Sequence, residues 1–373
     1  MKMKLDHLLI TCGGTGGHFY PGLAIAKAMQ KRGGKVKLLL TGKHADTQKA
    51  TAEQQGIETV VLPDFPHPVQ SPFRFLTRLV KGFLICCKEM KKFSPQALIS
   101  MGAYTSAPAF LAAKWTKTPL YLHDGNAHIG KANRIYSRWA RFQGTAFPPA
   151  NADRIKCPIH VVGMPIREQL IEAAGKLTKE ESISELNKLF NTDLSPEKPV
   201  VLIFGGSQGA AELNGTLPVS LMQLNDPDLQ VIHLTGKNKL ESTRAAYQSA
   251  NFKLLLIESS ERMDYFLSAA DIVFCRAGGS SLAELALFGK SAVLIPFPFA
   301  AENHQSANAD CFAAVDAGIA LDTRNFTPLR SKEILQDFIA NPALWQQRAA
   351  NAKLLAKPHA ADDMLNKIEE DLA

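Results

Sequence analysis

Residues 8–18 read Leu-Leu-Ile-Thr-Cys-Gly-Gly-Thr-Gly-Gly-His, and residues 200–210 read Val-Val-Leu-Ile-Phe-Gly-Gly-Ser-Gln-Gly-Ala. Each stretch is typical of a buried strand followed by a glycine-rich turn that opens a helix. The N–H groups and the positive dipole end at the start of such a helix bind anions, typically phosphates. Two copies about half a chain apart predict two nucleotide-fold domains that face each other across a cleft.

Strand and helix patterns alternate on both sides of these turns. We predict strands at 36–40, 59–62, 97–100, 119–123, 200–204, 230–234, 253–257, 271–274 and 291–295. Helices are predicted at 21–32, 45–55, 168–190, 210 onward, 261–269 and 280–288, and residues 193–199 indicate a linker or a turn. The alternation predicts an α/β fold with two Rossmann-like, doubly wound parallel sheets. Ligands of such sheets bind beyond the carboxyl ends of the strands.

Length and charge narrow the possible functions. A chain of 373 residues exceeds what one hydrophobic core usually serves, which predicts two domains. The 42 Lys and Arg outnumber the 35 Asp and Glu, for a net charge of +7, which favours phosphates, anionic lipid or nucleic acid as partners. We predict no nucleic-acid partner, because no basic stripe with aromatics and no known module is found.

The six cysteines show neither a C-x-x-C pair nor the spacing of a zinc site. A reduced cytosolic setting is the simplest interpretation. The chain shows no Asp-x-Asp motif at a suitable loop, and we expect neither a metal nor a cofactor. No apolar run approaches the length of a membrane-spanning helix. Asp6 and His7 interrupt the stretch that would otherwise resemble a signal peptide, so we expect a protein that is neither secreted nor integral to a membrane.

Three segments could carry chemistry. His18 directly follows the first glycine turn, where an imidazole could act as a base or could simply bond to backbone. In residues 275–286 we expect Ser280 to cap a helix and Glu284, one turn on, either to bridge the two hydroxyls of a ribose or to serve as a capping glutamate. The polar loop at 296–309 suits sugar hydroxyls, although loops are generally polar.

Residues 73–93 alternate six basic side chains with large apolar ones and contain one acid. A basic amphipathic helix of this kind adsorbs on anionic lipid when its apolar face is exposed. The alternative is an ordinary helix whose Phe and Leu side chains pack on the core. The sequence leaves both interpretations open.

Taken in order, seven blocks of the chain resemble the MurG family of GT-B glycosyltransferases, family 28. The blocks lie at 13–18, 102–108, 123–126, 163–167, 205–210, 276–284 and 304–309. The resemblance implies an inverting enzyme of peptidoglycan synthesis that moves N-acetylglucosamine from UDP-N-acetylglucosamine (UDP-GlcNAc) onto the muramyl hydroxyl of lipid I, forming lipid II. It also implies peripheral binding to the anionic cytoplasmic face of the bacterial inner membrane. An acceptor and membrane domain would span 1–163 plus the helix 357–373, and a donor domain 164–356.

The resemblance assigns roles to individual residues. His18 would be the catalytic base, and Gly14, Tyr104 and Ser106 would bind the acceptor. The donor-binding residues would be Thr15, Gly16, Gly17, Asn126, Arg167, Ser207, Ser260, Gly279, Ser280, Ser281, Leu282, Ala283, Glu284 and Gln305.

The chain departs from the family pattern at several positions. A third glycine is usual where Ala103 stands, Glu-Gln where Asp124-Gly125 stand, Asn where Met164 stands, and Phe-Ile where Ser259-Ser260 stand. Three alternatives share the architecture: a GT-B enzyme with another lipid acceptor such as diacylglycerol, a sugar-nucleotide epimerase, and a catalytically silent UDP-sugar-binding scaffold.

Overall fold

The chain forms two compact units. The computed structural model describes residues 4–66, 71–206 and 209–373. Unit 1 comprises Met1–Arg167 and Lys357–Ala373, and unit 2 comprises Glu168–Ala356. The C-terminal segment therefore returns to the unit in which the chain begins.

The strands of unit 1 are β1 (His7–Gly13), β2 (Lys35–Thr41), β3 (Glu58–Val61), β4 (Ala97–Ser100), β5 (Leu120–Asp124), β6 (Phe142–Thr145) and β7 (Ile159–Val161). Those of unit 2 are β8 (Val200–Phe204), β9 (Gln230–Leu234), β10 (Lys253–Ile257), β11 (Ile272–Cys275), β12 (Ala292–Leu294) and β13 (Gly318–Ala320).

The helices of unit 1 are α1 (Gly16–Lys31), α2 (Ala45–Gln54), α3 (Pro72–Phe93), α4 (Ala107–Thr116) and α5 (Lys131–Tyr136), with the last helix of the chain, α15 (Ala360–Leu372). Those of unit 2 are α6 (Glu168–Lys176), α7 (Lys179–Phe190), α8 (Ala211–Leu224), α9 (Leu240–Ala245), α10 (Met263–Ala269), α11 (Gly279–Phe288), α12 (His304–Ala313), α13 (Pro328–Ala340) and α14 (Pro342–Lys353). Short 3₁₀ turns lie at Tyr104–Ser106, Ala152–Arg154 and Ala301–Asn303.

Both sheets are parallel and doubly wound. In the described residues the order of unit 1 is β3-β2-β1-β4-β5-β6-β7, and that of unit 2 is β10-β9-β8-β11-β12-β13. In each unit the chain starts at a central strand, winds to one edge and then returns to wind to the other. The strand order reverses between β1 and β4 in unit 1 and between β8 and β11 in unit 2, and such switch points form ligand crevices.

Each sheet is buried on both faces. In β1 the side chains of Leu8 and Ile10 join one cluster with α1 and α15, while Leu9 joins a second cluster with α3 and α4. Successive side chains of a strand point to opposite faces, so continuous apolar runs of this kind are what a sheet sandwiched between helices requires. In unit 2 the cluster around Val201 and Ile203 extends to α8, α13 and Trp345.

The predicted α/β fold and the predicted strands are confirmed, and several helix boundaries are corrected. The structure also contains β6, β7 and β13, which the sequence patterns did not predict. The first helix begins at Gly16, five residues before the predicted start, and accommodates Pro21 internally. The predicted helix 168–190 is two helices, because Thr178 and Glu181 form a capping box that starts α7. Residues 193–199 are a turn inside unit 2, so the linker interpretation is wrong.

Candidate functional site

The loop after β1 forms an open turn against the end of β2. Gly13 has φ 130°, and a Cβ there would meet the backbone of Thr41, so this position requires glycine. Thr15 is the N-cap residue of α1, and the N–H groups of His18 and Phe19 both donate to its carbonyl oxygen. In the described part of the chain the N–H groups of Gly16 and Gly17 have no protein acceptor, as expected at the first turn of a helix. They are available to an anion.

His18 lies in this first turn, between the loops that follow β1 and β4. Its Nδ1 is 3.2 Å from Oγ1 of Thr15. On the other edge of the ring, Nε2 faces Gly102 in the loop after β4. A Cβ built on Gly102 would lie 3.6 Å from this nitrogen. The structure therefore brings the predicted base to the switch point of the unit 1 sheet.

The loop after β4 is held in a conformation that only glycine adopts easily. Ala103 has φ 68° and ψ 151°, and its carbonyl oxygen accepts a hydrogen bond of 2.7 Å from Oγ of Ser106. Tyr104 is half-exposed and donates its hydroxyl to the carbonyl oxygen of Phe65. Ser106 is buried, so its hydroxyl stabilises the turn. The side chain of Tyr104 is the more exposed of the two.

Asp124 organises the loop after β5. One carboxylate oxygen accepts from the N–H and the side-chain amide of Asn126, and the other accepts from the N–H of Gly130 and the side-chain amide of Asn133. Asn133 also donates to the carbonyl oxygen of His123. The aspartate in place of the usual glutamate thus still fixes Asn126, the residue predicted to hold the donor sugar.

Burial lowers the pKa of His123, the residue before this carboxylate, and the proximity of His18 adds to that shift. Its Nε2 lies 2.9 Å from the carbonyl oxygen of Gly163. A neutral His123 places no extra positive charge behind His18.

Arg167 is the last residue of the first segment of unit 1 along the chain. Its guanidinium carbon lies 5.2 Å from the ring centre of Tyr20 in α1. The Tyr20 ring packs against Gly16, the first residue of α1. A Cβ built on Gly16 would lie 3.4 Å from this ring. The arginine predicted to contact the nucleotide thus lies beside Tyr20, in the first turns of α1.

In unit 2 an ion pair links the elements that follow β8 and β11. Glu212, in the first turn of α8, lies 2.9 Å from the guanidinium of Arg276. The predicted donor residue Ser207 lies outside the described residues. Arg276 also donates to the carbonyl oxygens of Ile295 and Pro296, so one side chain links the start of α8 to the loops after β11 and β12.

The loop after β12 positions Gln305. The N–H of Phe297 donates to Oε1 of Gln305 at 2.9 Å, and the Phe297 ring lies 5.5 Å from the Arg276 guanidinium. Fixing the amide oxygen fixes the direction of the amide N–H₂ group as well. The structure therefore holds the side chain of Gln305 in a defined orientation in the loop after β12.

The turn after β11 gives α11 an open N-terminus. Gly278 is the N-cap residue, so the prediction that Ser280 caps this helix is wrong. The first bonded N–H of the helix is that of Leu282, to Gly278 at 3.0 Å, which leaves those of Gly279, Ser280 and Ser281 in front of it. The side chains of Leu282 and Ala283 are buried, so these residues contribute backbone only, whereas Glu284 is partly exposed on the same helix.

Ser260 follows the edge strand β10. Its hydroxyl accepts from the N–H of Arg262, which pairs with Asp264 and stacks 3.8 Å above the ring of Tyr265. The two serines at 259 and 260 therefore leave a polar rim where the family has apolar side chains.

The helix predicted over 73–93 exists as α3, and much of its apolar surface is exposed. We call the exposed residues Phe73, Leu76, Val80 and Leu84 the apolar stripe; Phe73 is 78% exposed and Leu84 60%. Only Gly82, Cys86 and Met90 of α3 are buried. Within the described residues, none of the helices combines the length and the apolarity needed to span a bilayer.

Tyr20, Asn133 and Arg276 were not predicted from the sequence. Tyr20 and Arg276 contact residues that are distant along the chain, Arg167 and Glu212, and only the position of Arg276 inside a recognised block pointed to it. Asn133 contacts His123 and Asp124, about one loop away, and no sequence pattern marked it. Among the described residues no cluster of three or more His, Cys, Asp or Glu side chains could hold a metal ion.

Two doubly wound parallel sheets, each with a glycine-rich turn at its switch point, place the chain in the GT-B class of folds. Residues 8–143 match the model of the glycosyltransferase family 28 N-terminal domain, and residues 200–364 that of its C-terminal domain. The chain belongs to glycosyltransferase family 28.

Curated relatives align along nearly the whole chain. The UDP-N-acetylglucosamine–N-acetylmuramyl-(pentapeptide) pyrophosphoryl-undecaprenol N-acetylglucosamine transferase of Saccharophagus degradans is 32% identical, over 97% of this chain and 91% of its own. The enzyme of the same name from Halothermothrix orenii is 29% identical, over 97% of this chain and 98% of its own.

Solved structures agree. The crystal structure of Acinetobacter baumannii MurG superposes with a TM-score of 0.77 at 27% identity, covering 98% of this chain and 99% of that one. A UDP-GlcNAc 2-epimerase from Neisseria meningitidis superposes with a TM-score of 0.70 at 16% identity, covering 98% of this chain and 100% of that one. The second likeness shows the fold alone, so the fold does not separate a transferase from an epimerase, whereas family membership does.

Proposed function

We propose that this enzyme transfers N-acetylglucosamine from UDP-GlcNAc to the muramyl hydroxyl of lipid I, with inversion at the anomeric carbon. The observation that carries the proposal is the 32% identity to a transferase of that name along 97% of the chain. Lipid II, the product, is the precursor of peptidoglycan.

Unit 2 would hold the donor. The free N–H groups at the start of α11 would bind the diphosphate, Glu284 would accept hydrogen bonds from the ribose hydroxyls, and Gln305 would read the sugar. The uridine would lie toward Ser260. Since UDP leaves as an anion, fixed N–H donors and a helix dipole stabilise the charge that develops in the transition state.

Unit 1 would hold the acceptor. Gly16 and Gly17 would line the donor side of the site, as the resemblance implies, and the N–H groups of the same loop also suit the pyrophosphate of lipid I. Tyr104 lies on the neighbouring loop. His18 would take the proton of the attacking hydroxyl through Nε2, while Thr15 orients the ring through Nδ1. Asn126, held by Asp124, would bind the N-acetylglucosamine, and Arg167 a phosphate.

The apolar stripe of α3 would place unit 1 on the cytoplasmic face of the inner membrane, where an undecaprenyl-linked acceptor resides. Arg74, Arg78 and Lys81 are exposed on the same helix and carry the charge that anionic lipid attracts. Exposed apolar residues flanked by basic ones are the pattern of a helix that lies in a membrane interface.

The test is to incubate the purified protein with radiolabelled UDP-GlcNAc and a short-chain lipid I analogue. We expect label in the lipid product, and a loss of about 10²- to 10⁴-fold in rate for His18→Gln, the range of general-base catalysis. His44→Gln, which changes another histidine in the loop after β2, is the matched control and should retain activity. Label released only as free sugar, or transferred only to diacylglycerol, would contradict the proposal.

A further inference from the structure

A cavity of about 340 Å³ opens at the amino-terminal edge of the unit 1 sheet. It lies between the end of α4 and the starts of β5 and β6, with buried Phe110, Ala113 and Leu120 among its lining residues. The loops that carry His18 and Tyr104 follow the carboxyl ends of parallel strands in the same sheet. The cavity is therefore separate from the site described above.

Cations line this cavity. Lys114, Lys117 and Arg141 contribute to its wall, and its lining residues include no carboxylate. Nζ of Lys114 lies 4.2 Å from the ring centre of Trp139, another wall residue. Arg141 is paired with Asp371 at 3.1 Å, so the two lysines supply most of the uncompensated positive charge.

The last turn of α4 joins the cavity to the surface of α3. Trp115 follows Lys114, is 77% exposed, and lies with its ring centre 6.5 Å from that of Phe83 in α3. Lys117 adopts a left-handed conformation at the C-cap of α4, with φ 58°, where the chain turns toward β5. The end of α4 that lines the cavity therefore also contacts α3, the helix that carries the apolar stripe.

We propose that this cavity binds the phosphodiester headgroup of one anionic phospholipid. Lys114 and Lys117 would contact the phosphate, and the Trp139 indole would pack on the glycerol at the level of the headgroups, where amphipathic rings reside. The volume suits a headgroup with its acyl chains outside. The inference rests on the proposed membrane association and adds a defined lipid to it.

Fluorescence of Trp139 can report binding directly. In a Trp115→Phe background the remaining indoles are Trp139 and Trp345, and Trp345 is buried in unit 2. The titrants are dihexanoyl-phosphatidylglycerol and dihexanoyl-phosphatidylcholine below their micellar concentrations, and inorganic phosphate. We expect phosphatidylglycerol to bind at least tenfold more tightly than the other two.

Two double substitutions then test whether binding requires the lysines of the cavity or only positive charge anywhere on this surface. Lys114→Gln with Lys117→Gln should weaken phosphatidylglycerol binding about 25-fold, since each basic residue near anionic lipid contributes about fivefold. Lys88→Gln with Lys91→Gln removes the same charge from exposed positions of α3 and should change binding less than twofold. An equal loss in both double variants would overturn the proposal, and so would equal affinity for phosphatidylcholine or for free phosphate.

The failure of this inference is distinguishable from that of the proposed function. Transfer to the soluble lipid I analogue needs no membrane, so Lys114→Gln with Lys117→Gln should retain parental activity in that assay. Parent protein that binds phosphatidylglycerol but makes no lipid II analogue would refute the function and leave the headgroup site standing.

Discussion

The side chain of Met164 occupies the space that a side chain at Gly125 would need. Its Sδ lies 3.2 Å from where a Cβ on Gly125 would stand, and its Cε lies closer still. Both positions depart from the family pattern, which has Gln and Asn there. The structure joins these departures into one packing arrangement, in which the loss of a side chain at 125 makes room for the methionine next to the Asn126 loop.

This arrangement predicts that the two positions are energetically coupled. Gly125→Ala should lower the free energy of unfolding by about 1–3 kcal/mol, the usual range for overpacking. In a Met164→Ala background the same change should lower it by less than about 1 kcal/mol, because the added methyl group fills vacated space. Denaturant titration of the four proteins of the cycle measures the coupling.

Gly175→Ala is the control for a glycine without such a neighbour, since a Cβ there meets no atom within 4 Å. It lies in helix α6, so we expect it to stabilise the protein by about 0.5–1 kcal/mol. Equal effects of Gly125→Ala in both backgrounds would show that the positions are independent.

Ala103 carries backbone strain that its family counterparts avoid. At φ 68° and ψ 151° a residue with a Cβ is strained by about 1–3 kcal/mol. Ala103→Gly should therefore stabilise the protein by about 0.5–2 kcal/mol after the entropy of glycine is subtracted, as measured by denaturant titration. Ala132→Gly, in helix α5, should destabilise it instead. A destabilising Ala103→Gly would show that the loop conformation carries no such strain.

Glu284 is expected to recognise ribose. Glu284→Ala should weaken UDP binding by about 1–3 kcal/mol, the scale of hydrogen bonds to a charged group. Calorimetry should also show that the parent prefers UDP to 2′-deoxy-UDP and that the variant does not. Glu241→Ala, a change of another exposed glutamate in unit 2, is the control. Unchanged UDP affinity in Glu284→Ala would remove this residue from the site.

The basic residues of α3 are expected to act on membranes without affecting the nucleotide. Replacing Arg74, Arg78 and Lys81 by Glu should reduce binding to anionic vesicles at least about 100-fold, because each basic residue contributes about 1 kcal/mol and three are lost. UDP affinity should be unchanged. The same replacement at Arg324, Arg330 and Lys332 in unit 2 gives an equal change in net charge. If vesicle flotation falls equally for both triple variants, the effect is one of net charge alone.

Local signals predicted the fold well. A short stretch of sequence is enough to show the pattern of each glycine turn, of the strands and of α3. The pattern is a run of apolar residues for the strands and a 3.6-residue period for the helix. The break inside 168–190 is also marked locally, because Thr178 and Glu181 have capping-box spacing, although the polar helical pattern runs through it. The misassigned cap at Ser280 has a different cause: Gly278 precedes it and takes the cap position.

The site was predictable only where its residues stand in recognisable blocks. The ion pair of Arg276 with Glu212 joins residues 64 positions apart, and its contact with Phe297 depends on the order of the strands. The same holds for Met164 and Gly125. Such contacts follow from sheet topology, which no short window of sequence contains.

Buried His233 makes the stability of the protein depend on pH. Its Nδ1 lies 3.0 Å from the Tyr247 hydroxyl and its Nε2 3.0 Å from Oδ1 of Asn214, partners that suit a neutral ring with its proton on Nε2. Burial lowers the pKa of His233 to about 3, whereas an unfolded histidine titrates near 6.5. Between these values the unfolded chain binds the proton and the folded one does not.

Stability contributed by this neutral histidine is therefore complete above about pH 6.5 and is lost as the pH falls toward 3, by up to about 1.4 kcal/mol per pH unit. Denaturant titrations between pH 7.5 and 5 should show this slope. His233→Gln keeps polar atoms at the position but does not titrate, so it should lower stability at pH 7.5 and flatten the slope. A parent and a variant with parallel pH profiles would show that other groups cause the acid sensitivity.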